Sequence, residues 1–174
     1  MDAWRHWRTV RERLYREHAQ SPVPAAERPA FRLKAWPYDP RLRFEVTVEP
    51  LAAAIELPMR IGGVMPTIPV GRLRFSALGS EQSLTAYWLG GYADGLFLPF
   101  RDATNGTETY AAGRYLLDTA KSADLGGDAS RHTVIIDFNF AYQPSCAFDP
   151  RWACPLAPPE NRLAIRIEAG ERLV

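Results

Sequence analysis

Apolar side chains recur at helical spacing over residues 2–18. Ala3, Trp7, Val10 and Leu14 fall on one stripe with Trp4 beside it, which predicts an amphipathic N-terminal helix laid on the domain. Asp2 stands where it can cap the start. Arg5, Arg8, Arg11, Arg13 and Arg16 occupy the other faces, against Asp2, Glu12 and Glu17. A proline-rich connector follows over residues 20–40, and then the period changes to two. Leu42, Phe44, Val46 and Val48 alternate with Arg41, Arg43, Glu45 and Thr47, the pattern of a half-buried strand. Residues 54–59 form a weaker strand, and residues 61–69, with Gly62, Gly63, Pro66 and Pro69, read as turn or loop. Leu73, Phe75 and Ala77 alternate with Arg72, Arg74 and Ser76. A turn at Gly79-Ser80-Glu81, a strand over 84–89 and a glycine-marked turn over 90–95 come next.

Residues 96–117 read as a hairpin, because Asn105-Gly106 suits a type I′ turn with positive φ at both central positions. A two-residue loop pairs Asp102 with Thr109 and Arg101 with Tyr110. It puts Arg101, Glu108, Tyr110 and Arg114 on one face, and Asp102, Thr109 and Tyr115 on the other. Residues 122–131 form a polar surface loop. Residues 132–140 form a strand, with Val134, Ile136, Phe138 and Phe140 opposed to Ile135, Asp137 and Asn139. A last strand over 162–168 buries Leu163, Ile165 and Ile167. The expected fold is mainly β: a single antiparallel β-barrel or strongly curved sandwich with an N-terminal α-helix and a long proline-rich C-terminal loop. One domain is expected over 1–174, divided into helix (1–20), wrapping connector (21–40) and β domain (41–174).

Composition changes this little. The 174 residues are 47% hydrophobic and 24% charged, with net charge +1, so nothing draws the chain toward nucleic acid or membrane. Its 15 prolines favour short strands and turns over long helices. No apolar run approaches the roughly 20 residues that span a bilayer. The arginine-rich N-terminus lacks the apolar core of a signal peptide, so a cytoplasmic protein is expected.

The stretch from Asp137 to Arg162 organises the rest. Its loop carries both cysteines and is dense in aromatics, including Tyr142, Phe148 and Trp152. Long ordered loops of this kind usually serve function. Asp102, Glu108, Arg114, Asp137, Asn139, Glu160 and Arg162 are costly to bury unless paired. Either they staple the hairpin to the loop through arginine–carboxylate forks, or they line a pocket for a small polar or anionic molecule. The ligand-binding candidates are Arg101, Glu108, Tyr110, Arg114, Asp137, Asn139, Tyr142, Cys146 and Glu160, with Tyr142 and Trp152 over the apolar part of the ligand. Two other classes stay open: a cofactor-independent lyase, isomerase or hydrolase using Glu108 and Asp137, and a structural or partner-binding module acting through the helix. No cofactor and no metal is expected, and a homodimer is left open.

Cys146 and Cys154 lack the second ligand pair of a zinc site. Buried thiols, a disulfide closing the nine-residue loop, worth roughly 2.5 kcal/mol by chain entropy, and a nucleophilic Cys146 based by His132 are the alternatives. The expectation is a pair near enough to bridge that stays reduced.

The order Phe100-Arg101-Asp102-Ala103-Thr104-Asn105-Gly106-Thr107-Glu108-Thr109-Tyr110, Gly113-Arg114-Tyr115, Asp137-Phe138-Asn139, Ala141-Tyr142, Cys146-Ala147, Cys154-Pro155-Leu156, Pro158-Pro159-Glu160-Asn161-Arg162-Leu163 and Ala169-Gly170-Glu171 resembles the bacterial family known as domain of unknown function 1684. The resemblance spans essentially the whole chain. It implies a single compact domain and carries no activity with it. Gln143 departs from the asparagine usual there.

Overall fold

The N-terminal helix, α1 (Asp2–Glu17), buries Trp4, Trp7, Arg11 and Tyr15. The computed structural model describes residues 2–51, 55–59, 62–89, 95–116 and 125–173. The expected stripe is rotated. Trp7 is buried as predicted, but Val10 and Leu14 are 36% and 42% exposed, and Arg11 faces inward. The buried positions are equally helical in spacing. They win because three aromatic rings bury more area than Ala3, Val10 and Leu14 can. Arg11 is tolerated among them because it meets a buried carboxylate, Glu171.

The strands are β1 (Arg43–Pro50), β2 (Ile55–Pro58), β3 (Val64–Ala77), β4 (Ser80–Leu89), β5 (Gly95–Phe100), β6 (Arg114–Leu116), β7 (Gly127–Asp128) and β8 (Thr133–Asp137). They form one antiparallel sheet in the order β6-β5-β4-β3-β1-β8-β7, with β2 also on β3. The sheet curls into a half-barrel, as a mainly β chain with one N-terminal helix was expected to do. Phe138 marks the closure. Its ring lies 5.2 Å from Phe100, 5.6 Å from Phe75 and 6.2 Å from Phe44, so the ends of β5 and β8 meet around it. Burying such a ring contributes about 1.5–3 kcal/mol.

Several elements differ from expectation. Residues 64–69 are strand, not loop. Pro69 lies between the part of β3 that ladders with β2 and the part that ladders with β1. There one side of β3 has no ladder to complete, and a missing N–H is tolerated. β5 and β6 do pair, with Phe100 opposite Arg114 and Leu98 opposite Leu116, but Asn105-Gly106 is not a two-residue turn. Gly106 has φ 85° while Asn105 is not among the positive-φ residues. The Asn105 side chain instead donates to Tyr110 O and Thr109 Oγ1 and accepts from Asp102 N. Side-chain capping therefore replaces the type I′ turn, and residues 101–113 form a broad loop.

Asp137 ends β8 early. Its carboxylate accepts Asn139 N at 3.0 Å and turns Phe138–Phe140 into a 3-10 turn. Residues 162–168 bury Leu163 and Ile167 without forming a strand. They are extended beside residues 101–103, tied by Leu163 N to Arg101 O at 2.8 Å and Ala103 N to Ile165 O at 3.0 Å. Alternation reflects extension here, not a ladder. The polar loop expected over 122–131 contains β7. The beginnings or ends of the expected elements at Ala54, Ile61, 90–94, Leu117 and 122–124 lie outside the described residues.

The connector is tied to the helix and to the C-terminal segment. Leu33 N donates to Glu12 Oε2 and Trp36 N to Gly170 O. Tyr15, Phe31 and Phe148 stack edge-on at 5.1–5.8 Å, forming a second small core that fastens connector, helix and cysteine loop together. No helix among the described residues is long and apolar enough to cross a membrane.

Candidate functional site

β6 positions the cysteine loop. Tyr115 and Tyr142 exchange both backbone hydrogen bonds, each at 3.0 Å, so Tyr142 docks the start of the loop on the free side of the sheet's edge strand. The Tyr115 hydroxyl then donates to Pro155 O and holds the returning arm of the loop. Between these arms and the sheet lies a half-open cleft of about 320 Å³. Met65, Leu89, Phe97 and Tyr115 come from the sheet, Tyr15 from α1, Tyr142 to Ser145 from one arm, and Trp152 to Pro155 from the other. The Phe97, Tyr115 and Tyr142 rings pack edge-to-face at 4.7 and 5.8 Å, which fixes their orientation.

The cleft is electrically neutral. Behind Tyr15 and Tyr142, Arg11 donates to Glu171 at 2.6 Å and also to the Tyr15 hydroxyl. Its guanidinium lies 4.6–5.0 Å from the Tyr142, Tyr15 and Trp7 rings. Burial opposes the charge on Arg11, but Glu171 outweighs it and raises the pKa. Burial likewise raises that of Tyr15. The other Glu171 oxygen accepts Gln143 N at 2.8 Å. Glu171 thus joins helix, loop and C-terminal segment. The Ser145 hydroxyl makes no hydrogen bond among the described residues and remains available at the rim.

The polar candidates fall into separate places. Arg114 is fully buried, and Asp102, not Glu108, is its partner, at 2.6 Å. It also donates to the carbonyls of Ile167, Ala169 and Glu171. Burial lowers its pKa, and Asp102 only partly counters this. Asp102 in turn accepts Thr104 N at 2.7 Å, knotting the 101–113 loop. Glu108 lies on the half-buried surface with Arg166 and Arg172. Arg101 donates to Ala112 O at 3.4 Å. Tyr110 is half-buried and gives its N–H to Gln143 Oε1 at 3.2 Å.

Asp137 and Asn139 are adjacent, at 2.6 Å, but they serve the connector. Tyr38 donates to Asp137 at 3.0 Å, and Asp39 N and Asp39 O bond the Asn139 amide. Asp137 and Glu108 are therefore engaged by different partners, and no acid–base pair forms between them. Glu160 accepts the Tyr87 hydroxyl at 2.9 Å. Of the nine candidates, Tyr142 alone lines the cleft, together with the expected cover Trp152. Cys146 lies just behind its wall, its N–H on Cys154 Sγ at 3.3 Å. Among the described residues no three His, Cys, Asp or Glu side chains group to hold a metal.

The family described as protein of unknown function (DUF1684) matches residues 31–172. The chain belongs to this family. The DUF1684 chain is also similar to the solution NMR structure of an uncharacterized protein of Haloarcula marismortui, at 31% identity and TM-score 0.73, covering 99% of this chain and 93% of that one. No curated protein matches it significantly.

Sequence reasoning missed most of the DUF1684 cleft, because Phe97, Leu89 and Met65 look like ordinary core positions. It also missed Glu171 and Asn161. Asn161 bonds Thr85 N, Thr85 O and Pro99 O at 2.7–2.8 Å, stapling the loop's end to β4 and β5. Glu171 had a signal: an arginine between a tryptophan and a tyrosine on a helical stripe, Trp7-Arg11-Tyr15, needs a buried carboxylate somewhere.

Proposed function

We propose that this DUF1684 chain is a small-molecule-binding β domain, and that its ligand occupies the cleft between β6 and the cysteine loop. The observation that carries this is a half-open space of about 320 Å³ walled by Tyr15, Phe97, Tyr115, Tyr142 and Trp152. Ligand sites are mostly apolar clefts of this size with a few placed polar groups. The neutral Arg11–Glu171 pair and the Ser145 hydroxyl favour an uncharged ligand with an aromatic or short aliphatic body and one hydrogen-bonding group at the mouth. The Arg114–Asp102 cluster is better suited to holding the loop that frames the cleft than to meeting a ligand, because both terminal guanidinium nitrogens already donate to Asp102 and backbone carbonyls and its Nε is buried away from any ligand.

The test uses N-phenyl-1-naphthylamine, a neutral aromatic dye that brightens on leaving water. The purified chain should bind it saturably. Trp152→Ala should weaken binding about five-fold or more with little loss of stability, since Trp152 is 38% exposed. A chain that binds no dye, or a Trp152→Ala variant that binds it equally well, overturns the proposal.

A further inference from the structure

The wall of the cleft contains a pair of thiols. Cys146 and Cys154 are both free and buried. Cys154 Sγ accepts the Cys146 N–H at 3.3 Å. That contact brings the two residues within the short span a disulfide bridges. Each belongs to one arm of the loop: Ser145 stands beside Cys146 on the outgoing arm, and Trp152, Ala153 and Cys154 line the cleft from the returning arm. The tip between the arms is anchored elsewhere, through Phe148 in the small core with Tyr15 and Phe31. Drawing the sulfurs together therefore moves the cleft wall rather than the tip.

We propose that Cys146 and Cys154 form a redox-responsive dithiol, and that a low-molecular-weight disulfide entering the cleft converts them to a protein disulfide that narrows it. The narrowing rests on the binding proposal above; the dithiol chemistry does not. Cys154, a residue of the cleft wall, loses its proton to solvent and attacks one sulfur of the small disulfide. A mixed disulfide forms and one small thiolate leaves, taking up a proton. Cys146 then loses its proton and attacks the Cys154 sulfur, and the second small thiol leaves. Two protein thiols are oxidised and one small disulfide is reduced to two thiols. The neighbouring Cys146 thiol and burial raise the Cys154 pKa, so Cys154 rests as a thiol near neutral pH and exchange runs through its small thiolate fraction. Bond formation brings the sulfurs to about 2.05 Å, pulling Trp152 toward Ser145 across the rim.

The experiment exposes the whole chain to oxidised glutathione. It then counts thiols in denaturant without reductant, records amide and indole NMR shifts, and measures N-phenyl-1-naphthylamine affinity. The expected result is loss of both thiols within a monomer, with no glutathione retained. Shifts should centre on Ser145 and Trp152, and dye affinity should fall at least about three-fold, all reversed by dithiothreitol. Cys146→Ser should stop at a glutathione adduct and show no such narrowing. The proposal is overturned if the folded chain keeps its thiols, retains glutathione on both, or forms the disulfide without shifting the cleft residues or changing dye affinity. If the reduced chain binds no dye, the binding proposal and the narrowing fall, while thiol count and shifts still decide the dithiol.

Discussion

Arg114→Met is the most informative substitution in this fold. It keeps much of the side-chain volume but removes the charge and every donor. Arg114 and Asp102 are both fully buried at their side chains. Without the guanidinium, Asp102 Oδ2 loses its cation, and the carbonyls of Ile167, Ala169 and Glu171 lose a donor. Breaking a buried pair from one side costs about 3–5 kcal/mol, and each orphaned acceptor adds up to about 1–3 kcal/mol where no water reaches it. These terms overlap, so the expected loss is at least about 4 kcal/mol, a large fraction of a domain's stability. Adding Asp102→Asn should recover part of it, because the remaining group is no longer charged. Glu108→Gln should cost no more than about 1 kcal/mol, since its partners Arg166 and Arg172 are on the surface. Urea unfolding of six proteins, the parent, Arg114→Met, Asp102→Asn, Glu108→Gln and the doubles of Arg114→Met with each of the other two, read by tryptophan fluorescence, gives the comparison. An Arg114→Met variant within about 1 kcal/mol of the parent would refute the view that this arginine is a structural staple. So would a coupling of Arg114 to Glu108 stronger than its coupling to Asp102.

Trp7→Ala should destabilise the chain by about 3–5 kcal/mol, whereas Leu14→Ala, at a position 42% exposed, should stay within about 0.5 kcal/mol; chemical denaturation of the two separates the rotated helix stripe from the expected one. The Asp128 carboxyl is held at about 2 by the Ser130 hydroxyl and Arg131. Its folded value is below the unfolded one, so its contribution is present above pH 4 and is lost as pH falls toward about 2. Asp128→Asn should therefore flatten that part of the acid-unfolding curve, and an unchanged slope would contradict the assignment.

The β architecture was legible because period-two alternation survives wherever a strand covers the core, as Leu42 to Val48 and Leu73 to Ala77 show. It misled at Leu163 to Ile167, where an extended segment lies on the core without a ladder, and at Asn105-Gly106, where a side chain took over the turn. Both depend on partners far away in sequence. The cleft was only half legible. Tyr142 and Trp152 were expected over an apolar ligand surface. Their meeting with Phe97 and Tyr115 depends on the Tyr115–Tyr142 backbone exchange, which no local pattern announces. Glu108 and Arg114 shared a predicted face through a register that the 101–113 loop does not adopt.

The central claim is that binding belongs to the aromatic cleft and not to the arginine–carboxylate cluster. Titrating the isotope-labelled chain with small neutral aromatic fragments, followed by amide and indole shifts, addresses it directly. The account predicts saturable shifts at Leu89, Phe97, Tyr115, Ser145 and Trp152, with the Asp102–Arg114 loop still. Shifts centred on Asp102, Glu108 and Arg114, with the cleft residues unmoved, would contradict it.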